Sequence, residues 1–211
     1  MVEPDRGLSV IIPHVVHDIY AGKLDPGERQ KLGEMRAFYE GSGDSQVFDE
    51  IQRLRAEVGT LEGWKAAKER TRQELAATPD DILEQLLERF APFIKNLPPG
   101  SSRGHFMRDG VYLTAIFQDP DIQSADAVEV FVGMLAGMYH DIGTSVAERY
   151  HEAKRFSAHA EVGAHLFGEI SKSLLGENLI KLTQYAIVAH THYRGDRTVT
   201  KDGETSVVFL N

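Results

Sequence analysis

Apolar residues recur along most of this chain at the three-and-four spacing of a helix face. Between Gln46 and Val58 they fall at Val47, Ile51, Leu54 and Val58, which predicts an amphipathic helix. A helical pattern from Glu28 to about Tyr39 precedes it, set off by the loop Gly41-Ser42-Gly43-Asp44, and a strongly charged one from about Leu61 to Ala77 follows. The next helix carries Ile82, Leu83, Leu86, Leu87 and Phe90; Thr78 is placed to cap its start, Pro79 fits its first turn, and Asp80 and Asp81 complement its dipole. Leu97-Pro98-Pro99-Gly100 then breaks the pattern. That break separates an N-terminal helical region of open role, residues 1–97, from a second unit, residues 101–211.

Helical stripes resume near 104–117, 126–141, 158–174 and 177–191. Val128 to Tyr139 is apolar on nearly all sides, the mark of a buried central helix. The two ends of the chain differ. Leu8–Ile12 followed by Pro13, Gly22, Pro26 and Gly27 reads as an arm or short helix, and Arg197–Lys201 with Glu204–Leu210 reads as a β-hairpin turning at Asp202-Gly203. The expected class is an all-α helical bundle preceded by the N-terminal helical region and ending in a short β-hairpin.

Composition narrows the chemistry. The 211 residues include no cysteine, which removes disulfides, thiolate metal sites and cysteine nucleophiles. They include nine histidines, seven of them beyond residue 100: His105, His140, His151, His159, His165, His190 and His192. Any metal must therefore be held by nitrogen and oxygen. With 23 Lys+Arg against 32 Asp+Glu the formal charge is −9, which weighs against duplex nucleic acid as a partner. It leaves a small phosphorylated ligand open, because a metal ion can supply the local positive charge. The longest apolar run, Val130 to Tyr139, falls far short of the ~18–20 residues that span a bilayer, and no basic-then-apolar leader opens the chain. No membrane partner is expected, and the cytoplasm is the default location.

The dipeptide His140-Asp141 ends the buried helix, just before Ile142-Gly143. A carboxylate there must be paired or coordinated, since an isolated buried charge is costly. Taken alone, the pair reads equally well as a helix-end cap and as two metal ligands. His105 lies upstream on an expected helix; His159, in Ala158-His159-Ala160-Glu161-Val162-Gly163-Ala164, and His190 with His192 lie downstream. Several helices would each present an imidazole, which is how helical bundles build metal sites. Imidazoles with a carboxylate suit iron, manganese, zinc or nickel better than calcium. His190 has a rival reading as a buried histidine bonded to a backbone carbonyl. His190 and His192 stand about 200° apart on a helix, so both can coordinate only where the helix ends between them. His165 is six residues from His159 and is turned away from it. His151 lies in a charged stretch within reach of a substrate, and Arg149, Lys154 and Arg155 either contact a phosphate or form a solvated face. His14 and His17-Asp18 mimic the doublet without a buried helix before them, and Gly41 and Gly43 lack the preceding strand of a dinucleotide loop.

The ordered set resembles the HD-domain superfamily of metal-dependent phosphohydrolases, named for a His-Asp doublet on a buried helix. The resemblance covers roughly residues 101–195. It is carried by His105 with Arg108, by Tyr139-His140-Asp141-Ile142-Gly143, by His159 with Glu161, Gly163 and Ala164, and by His190 with a second histidine nearby. The longer ligand set is most similar to the two-metal branch that includes the HD-GYP cyclic-di-GMP phosphodiesterases. Thr144 stands where that branch usually has lysine, and no Gly-Tyr-Pro follows His190-Thr191-His192-Tyr193, so cyclic-di-GMP is not assigned as substrate. The family's last aspartate is also unmatched; Asp196 and Asp202 are the aspartates beyond the histidines, and the reading favours a fragment whose final ligand lies beyond Asn211.

The resemblance implies an HD-domain bundle over 101–211. It implies one or two divalent transition-metal ions (iron, manganese, zinc or nickel) held by His105, His140, Asp141, His159, His190 and His192, with His140 and Asp141 at the catalytic centre. The expected reaction is hydrolysis of a phosphate ester of a nucleotide or similar small molecule by a metal-activated water. Two alternatives use the same residues: a di-iron oxygenase of the superfamily, and a degenerate HD module that signals without catalysis. Residues 28–97 are read either as a sensing or dimerisation module, giving a homodimer, or as helices that complete the bundle.

Overall fold

The computed structural model describes residues 43–97, 125–146 and 152–190, together with positions 26, 27, 29, 30, 33, 34, 37 and 110. The described part is all-α, with no strand in it. Its helices are α1 (Gly43–Val58), α2 (Leu61–Ala76), α3 (Ile82–Lys95), α4 (Ala127–Tyr139), α5 (Glu152–Ser171) and α6 (Glu177–Ala189), with a short 3-10 turn, Ile142–Ser145, after α4. The positions described between 26 and 37, and Gly110, are also helical. The expected hairpin and the break at 98–100 lie outside the described residues. No helix among the described residues is long and apolar enough to cross a membrane.

Each helix buries the stripe its sequence announces. Val47, Ile51, Leu54 and Val58 are all buried on α1, and Ile82, Leu83, Leu86, Leu87 and Phe90 on α3. On α4 every residue from Val132 to Tyr139 is buried, as its all-round apolarity requires. These side chains form one hydrophobic cluster with those of α2, α5 and α6. Helix α6 is the hub, packing against α1, α2, α4 and α5, while α5 also packs closely on the 3-10 turn. Beneath the doublet, Phe90 of α3, Tyr139 of α4 and Phe167 of α5 meet ring to ring, with centroids 4.3 Å (Phe90–Tyr139), 5.8 Å (Phe90–Phe167) and 5.5 Å (Tyr139–Phe167) apart. Aromatic contacts at such separations add cohesion beyond area burial, and they fix the end of α4 from below.

The helix starts show how tertiary contacts replace local ones. Asp126 and Glu129 form a full capping box on α4: the Asp126 carboxylate accepts from the Val128 and Glu129 N–H groups, and Glu129 accepts from the Asp126 N–H. The expected cap of α3 is different from that read in the sequence. Thr78 donates its hydroxyl to the Glu74 carbonyl and so finishes α2; Asp81 precedes α3 without a side-chain cap. Threonine can bond the carbonyl four residues back as readily as an N–H ahead, and here the preceding helix wins. Helix α6 starts after Gly176, which has no side chain to cap with. Glu74 of α2 fills the gap, accepting from the backbone N–H groups of Asn178 (3.1 Å) and Leu179 (2.8 Å) and from the Asn178 side chain (2.6 Å). A Cβ at Gly176 would fall 2.3 Å from the Glu74 carboxyl carbon, so the glycine is the space that lets the carboxylate in.

Loss of a helix cap typically costs about 1 kcal/mol, within a range of roughly 0.5–2. Glu74→Ala is expected to lower unfolding stability by that order in urea denaturation, and Glu74→Gln, which keeps a carbonyl acceptor, by less. Equal losses for the two variants would show that the charge rather than the acceptor geometry holds the start of α6.

Candidate metal centre

The ends of two helices and the turn that follows one of them converge on a small polar centre. Helix α4 ends at Tyr139, so His140 is its C-cap and Asp141 opens the 3-10 turn; α6 ends at Ala189, so His190 is its C-cap. His159 reaches in from α5, in the third turn of that helix. The Asp141 carboxylate lies among the three rings: Oδ2 is 3.4 Å from His140 Nε2, and Oδ1 is 3.3 Å from His159 Nε2 and 4.0 Å from His190 Nε2. His159 Nε2 and His190 Nε2 are 3.0 Å apart. His140, Asp141 and His190 each direct one donor atom to within 4.8 Å of the others, as a shared metal ion requires.

The far side of each C-cap ring explains why Nε2 faces inward. His140 Nδ1 lies 2.8 Å from the Gly137 carbonyl, and His190 Nδ1 contacts the Ile187 carbonyl. A carbonyl oxygen only accepts, so both Nδ1 atoms carry the proton and donate. His190, which burial keeps neutral, then bears its lone pair on Nε2, on the side facing Asp141. This is the outer arrangement that orients imidazole ligands in metal sites. The two readings of His190 are thus one geometry, since its bond to a backbone carbonyl is what turns Nε2 toward Asp141.

Charge in the centre is unbalanced. Burial drives the Asp141 carboxyl upward, but hydrogen bonds and charge from His140 and His159 outweigh it and hold the group well below the usual carboxylate range. It is ionised at neutral pH. His190 is pushed down to about 4, first by burial and then by its neighbours His140 and His159, against a raising hydrogen bond to Ile187 and the Asp141 charge. It is neutral at pH 7 and keeps its lone pair. Helices α4 and α6 both present their C-terminal, negative ends here. A carboxylate beside two such ends favours a cation over an anion.

The donor set fits a transition-metal ion. Ligand nitrogens or oxygens about 2.1 Å from one ion lie roughly 3.0 Å apart at a right angle and about 3.4 Å apart at a tetrahedral angle. Asp141 lies 3.3–4.0 Å from the three Nε2 atoms and His159 Nε2 lies 3.0 Å from His190 Nε2, while the tightest mutual set is His140, Asp141 and His190, within 4.8 Å of one another. Imidazole with one carboxylate suits iron, manganese, zinc or nickel rather than calcium. Of the six ligands expected from the sequence, these four come together. His105 and His192 lie outside the described residues, as do His14, His17, Asp18, His151 and Arg149. Helix α6 ends at Ala189, with His190 as its C-cap.

Around the centre lies a polar frame that sequence reading did not identify. Glu50 of α1 accepts from His165 Nδ1 at 2.5 Å and from Gln184 Nε2 at 3.3 Å; Gln184 also donates to the Ala164 carbonyl at 2.9 Å. His165, turned away from His159 by its spacing along α5, is therefore a buried anchor between α5 and α1. Arg55, one further turn along α1, pairs with the buried Glu161 of α5 at 3.3 Å. These pairs span 115 and 106 residues of chain, so no local spacing announces them. No family model, no curated protein and no solved structure matches the chain.

Burial raises the Glu50 carboxyl, but the His165 hydrogen bond and charge, then Gln184, more than offset it and leave the group below its ordinary value. A depressed carboxylate contributes stability that is complete above the unfolded value, about 4.3, and is lost as pH falls through the folded one. Glu50→Gln is therefore expected to lower stability at pH 7 and to bring the two proteins closer together as the pH is taken below about 4. Parallel stability curves for parent and variant down to pH 3 would contradict this.

Proposed function

We propose that the chain is a metal-dependent phosphohydrolase of the HD-domain superfamily, acting on a phosphate ester of a nucleotide or similar small molecule. The observation that carries the reading is the convergence of His140, His159 and His190 on Asp141, with their Nε2 atoms 3.3–4.0 Å from its carboxylate. Those four are the described members of the ligand set the resemblance implies. The chain has no cysteine, so no thiolate competes for the ion, and hydrolysis by a metal-activated water needs no protein nucleophile.

A bound divalent ion supplies Lewis acidity, lowering the pKa of a water and neutralising charge that develops on the phosphoryl oxygens. The chain's own groups do the rest. His140 and His190 would hold the ion, their rings oriented by the Gly137 and Ile187 carbonyls. Asp141, anionic across the neutral range, offers one oxygen toward His140 and the other toward His159 and His190, so it would supply a carboxylate ligand to the ion and could accept a proton during hydrolysis. The apolar floor of Tyr139, Phe90 and Phe167 keeps solvent from the underside of the centre, so charge interactions there are weakly screened.

The test is elemental analysis of protein purified under low oxygen, followed by assay on phosphodiester and phosphomonoester substrates. The expected outcome is bound transition metal with ester hydrolysis, and loss of metal in both His140→Ala and Asp141→Ala. Iron accompanied by oxygen uptake without hydrolysis would replace this reading with the oxygenase, and a parent protein that takes up no metal would end it. Metal content that survives both substitutions would show that the ion sits elsewhere.

A further inference from the structure

The metal centre depends on a close crossing of backbone between the 3-10 turn and α5. Gly143 of the turn lies directly against the stretch of α5 that carries His159. A Cβ built on Gly143 would fall 2.1 Å from the His159 carbonyl oxygen, 2.7 Å from the Gly163 nitrogen and 3.0 Å from the His159 carbonyl carbon. All three obstacles are backbone, and two belong to the ligand residue itself. No rotamer change can relieve such a contact, and interiors are packed too densely to absorb it locally. The same crossing seen from α5 is less severe: a Cβ on Gly163 would lie 3.2 Å from the Gly143 nitrogen and 3.4 Å from the His140 carbonyl oxygen.

Gly143 is two residues from Asp141 in a turn whose own bonds make it stiff. The Thr144 N–H and hydroxyl both donate to the Asp141 carbonyl, at 2.9 and 2.7 Å, and the Ser145 hydroxyl donates to the Ile142 carbonyl at 2.6 Å. From the other side Asn96 donates its side-chain amide to the Ser145 carbonyl. A turn fixed in this way moves as a unit, so whatever lifts Gly143 off α5 lifts Asp141 away from His159.

We propose that Gly143 is a positioning residue: the absence of a side chain there sets the separation between Asp141 and His159, and through it the affinity and geometry of the metal centre. The proposal rests on the metal-site reading above. Gly163 is its lesser counterpart on α5.

Cobalt(II) is the probe, because its visible absorption reports ligand geometry while titration gives affinity. In the full chain, Gly143→Ala is expected to bind cobalt at least about tenfold more weakly, in the range seen when groups that orient metal ligands are changed, with an altered visible spectrum. Gly163→Ala is expected to show a smaller loss and a smaller spectral change. Gly176→Ala is the control: it meets the Glu74 carboxylate at 2.3 Å and strains the start of α6, roughly 20 Å along the helix from His190. It should lower thermal stability while leaving cobalt affinity and spectrum at parent values. A Gly143→Ala protein with parent affinity and spectrum overturns the proposal. Should that variant fail to fold, Gly163→Ala decides, and a parent-like spectrum and affinity there overturns it equally. Weakened binding in Gly176→Ala to the same degree would also overturn it, by showing that general strain suffices. A parent protein that binds no cobalt at all would instead fail the metal reading itself, so the two failures are told apart.

Discussion

An ionised carboxylate held inside a helical bundle is the constraint on which this structure turns. Asp141 is ionised at neutral pH, although burial alone would push it the other way. It sits where α4 and α6 end, so the partial negative charge of both helix termini adds to its own. His190 is neutral at pH 7 and offers a lone pair rather than a proton. The positive charge that such a place needs must come from the remaining imidazoles or from an added cation. A cation resolves the imbalance with the donors already aimed inward.

The architecture delivers those donors by terminating helices at chosen points. His140 and His190 are each the residue after the last helical position, and each ties Nδ1 to a carbonyl of its own last turn. One local rule, a ring bonded to the carbonyl three residues back, thereby turns two Nε2 atoms inward. What places the two helix ends side by side is not local. The Phe90–Tyr139–Phe167 cluster seats the end of α4, and α6 packs against α1, α2, α4 and α5.

This division between local and distant causes accounts for what could be read from the sequence. The stripes on α1, α3 and α4 were legible because burial of one face leaves a period that survives in any context. The doublet was legible because a histidine and an aspartate closing an apolar helix have few inexpensive explanations. His165 was not legible. Spacing along α5 correctly turned it away from His159, but nothing near it in sequence points to Glu50, which lies 115 residues earlier. Thr78 was misread for a related reason: Thr-Pro-Asp-Asp satisfies the local pattern of a helix start, yet the hydroxyl found a carbonyl on the helix behind it. Glu74 illustrates the limit most clearly, since the residue it caps carries no capping side chain of its own and the acceptor comes from another helix.

The polar frame on α1 gives residues before the Pro98-Pro99 break a part in the centre. Glu50 and Arg55 lie five residues apart on α1 and grip α5 at His165 and Glu161, the latter only two residues beyond His159. Two anchors at different heights fix both the slide and the rotation of one helix on another, which a single contact or an apolar seam alone does not do, because apolar packing is non-directional. Rotation matters here: His159 must meet Asp141 on one face of α5 while Gly163, four residues on, lies under the 3-10 turn. Residues four apart share a helix face, so a single azimuth of α5 satisfies the ligand and the backbone crossing together. Helix α1, through Glu50 and Arg55, helps to hold that azimuth.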